Sequence, residues 1–323
     1  YVHKGSEKLF EILPLAQKLK LSERISGDSS FSHSLAFCQT IELLSGVEVP
    51  ERAKYLRVIY AELERIANHF GDLGFMMLDT GFSFGGSNGG RLREMMMRWC
   101  EKLSGSRFLR GVNTFGGVTK DIPKDKAREL IEDLEKIRKD FSEVIEIAQE
   151  SDSVLNRLKD TGKLDLQIAK DHCAVGVPAR ALGVSDDTRV DYPYEAYGKL
   201  KFETALEKTG DVYARFNIRV KEVYSSMELI FSALENLPKG SIISSQEVKL
   251  PASSMTVGAV EGWRGEILYF VMTDSKGEIT RVDVRDPSFP NWMVAGHAGK
   301  GNVVPDFPLI NKSFNLSYSG NDL

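Results

Sequence analysis

Apolar residues recur along this chain at two spacings, and the change from one to the other divides it. From about residue 31 to about residue 240 they step by three and four, the period of helices that bury one face. Leu35, Cys38, Ile41 and Ser45 give the first such face. Pro50 opens a longer one, on which Leu56, Ile59, Leu63, Ile66, Phe70, Leu73 and Met77 follow without a miss, with Arg57, Glu64, Arg65 and Asn68 off the seam. After Pro123 come Ala127, Leu130, Leu134, Ile137, Phe141, Val144 and Ala148. After Asp211, a natural N-cap, come Phe216, Val220, Val223, Met227, Ile230, Leu234 and Leu237, stopped by Pro238 and Gly240. From about residue 245 the period shortens. Thr256–Val260, Glu266–Thr273 and Ile279–Arg285 read as strands, with a hairpin turn at Asp274–Gly277. Residues 286–323 read as loop and short helix. Long seams need one another to be buried, so the pattern predicts a single domain over 1–323, mainly α with a small antiparallel β element (α+β).

The breaks carry the candidate chemistry. Before the first seam, Ser26-Gly27-Asp28-Ser29-Ser30 is a polar turn, and Ser32 or Ser30 is placed to cap the helix behind it. The opening twenty residues form a helix broken near Pro14, with Glu7 as an exposed first-turn carboxylate. Residues 80–90, rich in Gly and Ser, read as a loop without the spacing of a phosphate cradle. The helix of 91–103 follows, filled with Met95, Met96, Met97 and Trp99. Asn113–Val118 is a tight turn. His69 reads as a packed or capping residue. His172 and Cys173, being adjacent, point apart. In the irregular stretch 176–194, Arg180, Asp187 and Arg189 pair with one another, an arrangement that contributes little if it lies on the surface.

Composition narrows the function classes. The 323 residues carry a net charge of −4 with both signs interspersed and 42% hydrophobic content. No basic run points to nucleic acid, and no apolar stretch is long enough to cross a bilayer. Cys38, Cys100 and Cys173 form no Cys-x-x-Cys pair and read as reduced core thiols. The chain begins at Tyr1 rather than Met, so upstream targeting stays open.

Several of these stretches, taken in order, resemble the large subunit of membrane-bound [NiFe] hydrogenases and its relative, the quinone-site subunit of respiratory complex I. Tyr-Val-His-Lys-Gly-Ser-Glu-Lys at residues 1–8 is similar to the family's Tyr-[Val/Leu]-His-x-Gly-x-Glu-Lys. Arg24, Gly27 and His33 fit Arg-x-Cys-Gly-x-Cys-x-x-x-His. Phe115–Val118, the loop from Arg180 to Tyr194, and Glu261-Gly262-Trp263-Arg264-Gly265, which resembles Glu-Ala-Pro-Arg-Gly, match further landmarks.

The departures fall on the metal ligands. The four family cysteines would fall at Ser26, Ser29, Ser317 and Gly320, and none of these is Cys. Nickel and low-spin iron there need soft bridging thiolates, so the resemblance implies a member without a [NiFe] centre and without bound metal. The quinone-holding Tyr would fall at Gly27, and the quinone-holding His before Tyr1. Carried over residue by residue, the resemblance implies proton transfer at Glu7, an arginine beside the vacated pocket at Arg264, and Arg24 and His33 flanking the first loop. It also implies a shared charged loop at Arg180, Asp187 and Arg189, and a tail, 286–323, that returns to the pocket. The expected partners are a small iron–sulfur subunit whose cluster faces the pocket, other peripheral-arm subunits and membrane ion-pumping subunits, on the cytoplasmic side of the cell membrane. Two roles follow: oxidoreduction of a quinone or another two-electron acceptor, or redox-inert coupling within such a complex.

Overall fold

A computed structural model describes residues 3–323, so Tyr1 and Val2 of the opening motif lie outside the described residues. The elements run α1 (Ser6–Ile12), α2 (Leu15–Ser22), α3 (Ser30–Ser45), α4 (Glu51–Asp79), α5 (Ser83–Ser104), β1 (Asn113–Thr114) and β2 (Gly117–Val118). Then come α6 (Lys124–Glu150), α7 (Asp152–Leu158), α8 (Leu166–Asp171), α9 (Val177–Arg180), α10 (Thr188–Asp191) and α11 (Val212–Glu235). Strands β3 (Met255–Gly262), β4 (Gly265–Thr273) and β5 (Ile279–Arg285) are followed by α12 (Ser288–Ala298), α13 (Phe307–Phe314) and α14 (Tyr318–Asn321). The expected α+β class holds, and the three strands lie within a residue or two of the stretches read from the sequence.

Helix α4 is the axis. It packs on α5 and α11 and touches α3, β2 and α13. Surrounded in this way, it buries not only its apolar seam but also Arg57, Glu62, Glu64, Arg65, His69 and Asp72. The residues read as lying off the seam therefore form a second, polar seam inside the protein. The antiparallel sheet β3-β4-β5, closed by the tight Gly262–Gly265 turn, lays one face on α3. Its inward residues Val260, Ile267, Tyr269, Val271 and Val282 join one hydrophobic core with Phe10, Phe37, Ile59, Phe216 and Phe314.

The Gly- and Ser-rich stretch is not the loop that its composition suggests. Helix α5 already begins at Ser83. The glycines let α5 lie almost backbone to backbone on α4: a Cβ added at Gly89 would sit 2.4 Å from the Gly74 Cα. Local propensity loses here to a close helix crossing that only glycine permits. Two smaller expectations also change. Cys173 is exposed rather than a core thiol, and the first turn of α3 is not capped by its own serines.

Gly89 and Gly90 supply an internal control. Gly89→Ala should destabilise the protein by about 2 kcal/mol through overpacking. Gly90, where an added Cβ meets nothing within 4 Å, should gain up to about 1 kcal/mol on Gly90→Ala through helix propensity. Urea denaturation of both variants measures the contrast.

Candidate functional site

The polar turn before α3 is held from outside. Ser30 Oγ donates to the carbonyls of Glu23 and Gly27 (both 2.9 Å). The free N–H groups at the start of α3 are taken by Glu64 of α4, which accepts from Phe31 N (2.7 Å) and Ser32 N (3.1 Å) and from the Ser32 hydroxyl. A carboxylate from another helix therefore does the capping that Ser30 and Ser32 were expected to do. Burial pushes the Glu64 carboxyl up to about 7, against those three donors.

Arg264 enters this turn from the β3–β4 hairpin. The hairpin is pressed so closely on the turn before α9 that a Cβ at Gly176 would meet the Arg264 carbonyl oxygen at 2.1 Å. Its guanidinium lies over the Trp263 ring, 3.9 Å from the centroid. It grips Asp28 with both terminal nitrogens (2.7 and 2.8 Å) and approaches Ser29 Oγ (3.3 Å) and Ser26 Oγ (3.4 Å). Burial would raise the Asp28 carboxyl, but the Arg264 charge outweighs it and holds the group below the ordinary value. The third contact of Arg264, from Nε, is to the Asn315 carbonyl (2.6 Å) in the tail.

The tail brings the remaining two positions to the same place. Ser26 Oγ donates to Ser317 Oγ (2.9 Å), and Ser317 Oγ accepts from Gly320 N (3.0 Å), capping α14. At Gly320 an added Cβ would meet all three carboxyl atoms of Asp286 at 2.5–2.7 Å. Asp286 is fixed by His33 Nε2 (2.9 Å) and by Ser288 N (2.7 Å), while His33 Nδ1 meets the Tyr269 hydroxyl (3.1 Å). Burial again opposes ionisation of Asp286, and His33 overcomes it, leaving the carboxyl below its ordinary value.

Of the four positions read as vacated ligand sites, Ser26 and Ser29 lie against Arg264, and Ser317 and Gly320 join them through Ser26, with His33 behind Asp286. Gly27 and Arg24 lie on the exposed edge of the turn. Glu7 does not join this group. Its carboxylate accepts from Val284 N (3.4 Å) and lies 3.8 Å from Arg281, on the outer side of β5. Lys4, which no sequence pattern marks, does reach the turn, donating to the Ile25 carbonyl (3.2 Å) and to that of Ser319. For a nickel–iron centre the donors do not fit: the converging side chains are hydroxyls and a guanidinium, and Asp286 occupies the side-chain space at Gly320. Among the described residues no three His, Cys, Asp or Glu side chains are arranged to hold a metal.

Arg180, Asp187 and Arg189 lie deep inside, not on the surface. Arg180 bridges Glu222 (2.9 Å) and Glu261 (2.8 Å); Arg189 bridges Asp187 and Glu62 (3.1 Å); Arg65 joins Glu62 (3.1 Å); His69 Nε2 meets Glu222 (2.7 Å). Glu222 is held well below its ordinary value despite burial, by Arg180, His69 and Arg65. Burial raises the Glu261 carboxyl. A second line runs from Asn315 to Asp72 and on to Arg219 (2.8 Å). Glu62, Arg65 and Asp72 on α4, and Arg219 and Glu222 on α11, were missed in the sequence. The available signal was the repeat of charges three to four residues apart beside an unbroken apolar seam.

Two outcomes test the site. Gly320→Cys should cost about 2 kcal/mol through its clash with Asp286, and Gly320→Cys with Asp286→Ala should cost less than the two changes summed, in urea denaturation. The Glu64 carboxyl lies at about 7 in the fold against an ordinary 4.5. Between those values the folded state keeps a proton that the unfolded chain has lost, so stability falls as pH rises through the window. Relative to Glu64→Gln, the wild type should lose about 3 kcal/mol between pH 4.5 and 7.5.

The same fold occurs in a chain of the membrane-bound sulfane sulfur reductase, an archaeal respiratory membrane complex, with a TM-score of 0.94 and 26% identity over 100% of this chain and 89% of that one. The sequence is 34% identical to formate hydrogenlyase subunit 5 of Escherichia coli over 323 residues, 100% of this chain but 57% of that protein. The chain thus spans little more than half the length of that relative. It is 32% identical to an NADH-quinone oxidoreductase subunit of Herpetosiphon aurantiacus, covering 98% of this chain and 87% of that one. The model of the respiratory-chain NADH dehydrogenase 49 kDa subunit matches residues 79–255 and 243–322. The chain belongs to the family of that 49 kDa subunit, which joins complex I to the hydrogenase-related respiratory complexes.

Proposed function

We propose that this chain is the large subunit of a membrane-associated oxidoreductase complex, and that it works at the Arg264 cluster on a quinone or another two-electron acceptor, without nickel. The observation that carries this reading is the approach of Ser26 and Ser29 to Arg264, with Ser317 joined through Ser26, at the place where the family resemblance sets its metal. An acceptor that takes two electrons becomes basic and negatively charged. A guanidinium and hydroxyls already in position favour that charge. The exposed edge at Gly27 leaves room for approach, since an added Cβ there would meet only Arg110 Nη2, at 3.6 Å. Arg24 and Arg110, both exposed, make this edge basic. Either a quinone or the sulfane sulfur named for the structural relative accords with such a site.

Electrons would come from an iron–sulfur cluster in a small partner subunit, because the three cysteines of this chain, two of them buried, are far apart in sequence and lie at none of the family's ligand positions. Other peripheral-arm subunits and a membrane ion-pumping unit complete the assembly, with this chain on the cytoplasmic side. No helix among the described residues is long and apolar enough to cross a membrane. Arg264 stabilises charge and Asp28 orients Arg264. Glu64 stands nearer the turn than Glu7 and is the better proton carrier, since burial has brought it to about 7.

A second reading is favoured by the buried charges that run from Arg264 through Asn315 and Asp72, and from His69 through Glu222 and Arg180 to Glu261. A redox-inert subunit would use these two lines to couple movement to a membrane partner. One experiment separates the two. In the complex purified from native membranes, Arg264→Lys should lower electron transfer to quinone or polysulfide about 100-fold while assembly on native gels is retained. Unchanged transfer in the assembled variant would remove the oxidoreductase role at this site and leave the coupling role.

A further inference from the structure

Away from the Arg264 cluster, a groove of about 1170 Å³ lies between the α3–α4 corner, the segment 192–195 and the start of β3. Its walls are apolar and open to solvent: Leu43 is 65%, Tyr192 74% and Val257 52% exposed. Its floor is acidic. Arg57, fully buried, faces two carboxylates, gripping Glu42 with both terminal nitrogens (2.6 and 2.9 Å) and Glu195 Oε1 with one (2.8 Å). Gln39 Nε2 also donates to Glu195 Oε1 (2.9 Å). The other oxygen, Oε2, has no hydrogen-bond partner, although the side chain is only 4% exposed. The residue is also held at φ 50, a left-handed conformation that a glutamate rarely adopts.

One guanidinium between two carboxylates leaves a unit of negative charge at the floor. On the rim Lys54 and Lys199 pair with Glu51, and Glu48 balances the second lysine, so the excess negative charge is that of the floor. A buried carboxylate oxygen without a donor is costly, and a donor arriving through the groove would relieve that cost. The donor must carry positive charge to balance the floor and an aliphatic stem to pass the apolar walls, which is the chemistry of a lysine or arginine side chain.

We infer that this groove receives a lysine or arginine carried on an apolar segment of a partner subunit, whose cationic group binds Glu195 Oε2. The inference rests on the reading of the chain as a subunit of a larger complex. Leu43, Tyr192 and Val257 bury the apolar flanks of the segment, and Glu195 fixes its register.

The test is a photo-crosslinking amino acid at position 192 in the full chain, with the complex isolated from native membranes and crosslinked peptides identified by mass spectrometry. A matched probe at Ile147, on the outer face of α6, serves as control. The expected result is one crosslinked segment of another subunit, with a lysine or arginine flanked by apolar residues. Its yield should fall at least fivefold in Glu195→Gln and in Leu43→Asp, with the thermal midpoint of the chain retained in Glu195→Gln. A crosslink to lipid, to a second copy of this chain or to a segment without a basic residue would overturn the inference, as would unchanged yield in the assembled Glu195→Gln complex. Partner subunits recovered without a crosslink at 192 contradict the groove alone. A chain recovered without any partner contradicts the complex itself, and the groove with it.

Discussion

The buried arginines of this fold, Arg215 apart, find a counter-charge inside it, and that requirement sets how the elements meet; Arg215 is held instead by Ser313 Oγ and the carbonyls of Gly162 and Gly210. Arg57, Arg65, Arg180, Arg189 and Arg219 are all nearly inaccessible to solvent. A buried guanidinium holds its proton strongly, and each of these five is paired with a carboxylate from another element or turn. Arg180 ties α9 to α11 and β3; Arg189 ties α10 to α4; Arg219 ties α11 to α4. Apolar packing alone would let these helices slide or rotate at modest cost. Removing one member of such a pair leaves a buried charge uncompensated, so the arrangement holds as a unit.

The Arg264 cluster is this same chemistry brought nearer the surface. Where the family resemblance calls for four thiolates around a metal, this chain sets the hydroxyls of Ser26 and Ser29 against a guanidinium, with Ser317 and Gly320 behind Ser26 and Asp286 filling the glycine's side-chain space. The scaffold that would present the ligands is intact: the tail returns, the turn before α3 is held by Glu64, and the hairpin aims Arg264 inward. What differs from the family pattern is the set of side chains there, which hydrogen-bond and ion-pair with one another.

Much of this architecture was legible in the sequence. The seams of α4, α6 and α11 and the three strands could be read because burial on one face leaves a periodic trace. Collinear motifs located Ser26, Ser29, Ser317 and Gly320, which no local pattern would have joined across almost 300 residues. The rest was hidden for physical reasons. Gly86 and Gly89 imitate a loop because helix propensity does not register a backbone crossing at Gly74. Glu64 looks like an exposed helix residue until α3 is seen to start against it. The same is true of the ion pairs of α4, since burial on every side requires neighbours that come much later in the chain. Glu7 is the reverse case: a motif match points to a role at the site, and the fold sets its carboxylate near Val284 N and Arg281.

The most direct measurement is the nickel content of the intact complex isolated from native membranes, determined by elemental mass spectrometry alongside its electron-transfer activity. A centre whose ligands have been replaced by Ser26, Ser29, Ser317 and Gly320 predicts an active complex with nickel far below one atom per chain. One nickel per chain, retained through purification and lost together with activity, would contradict the account.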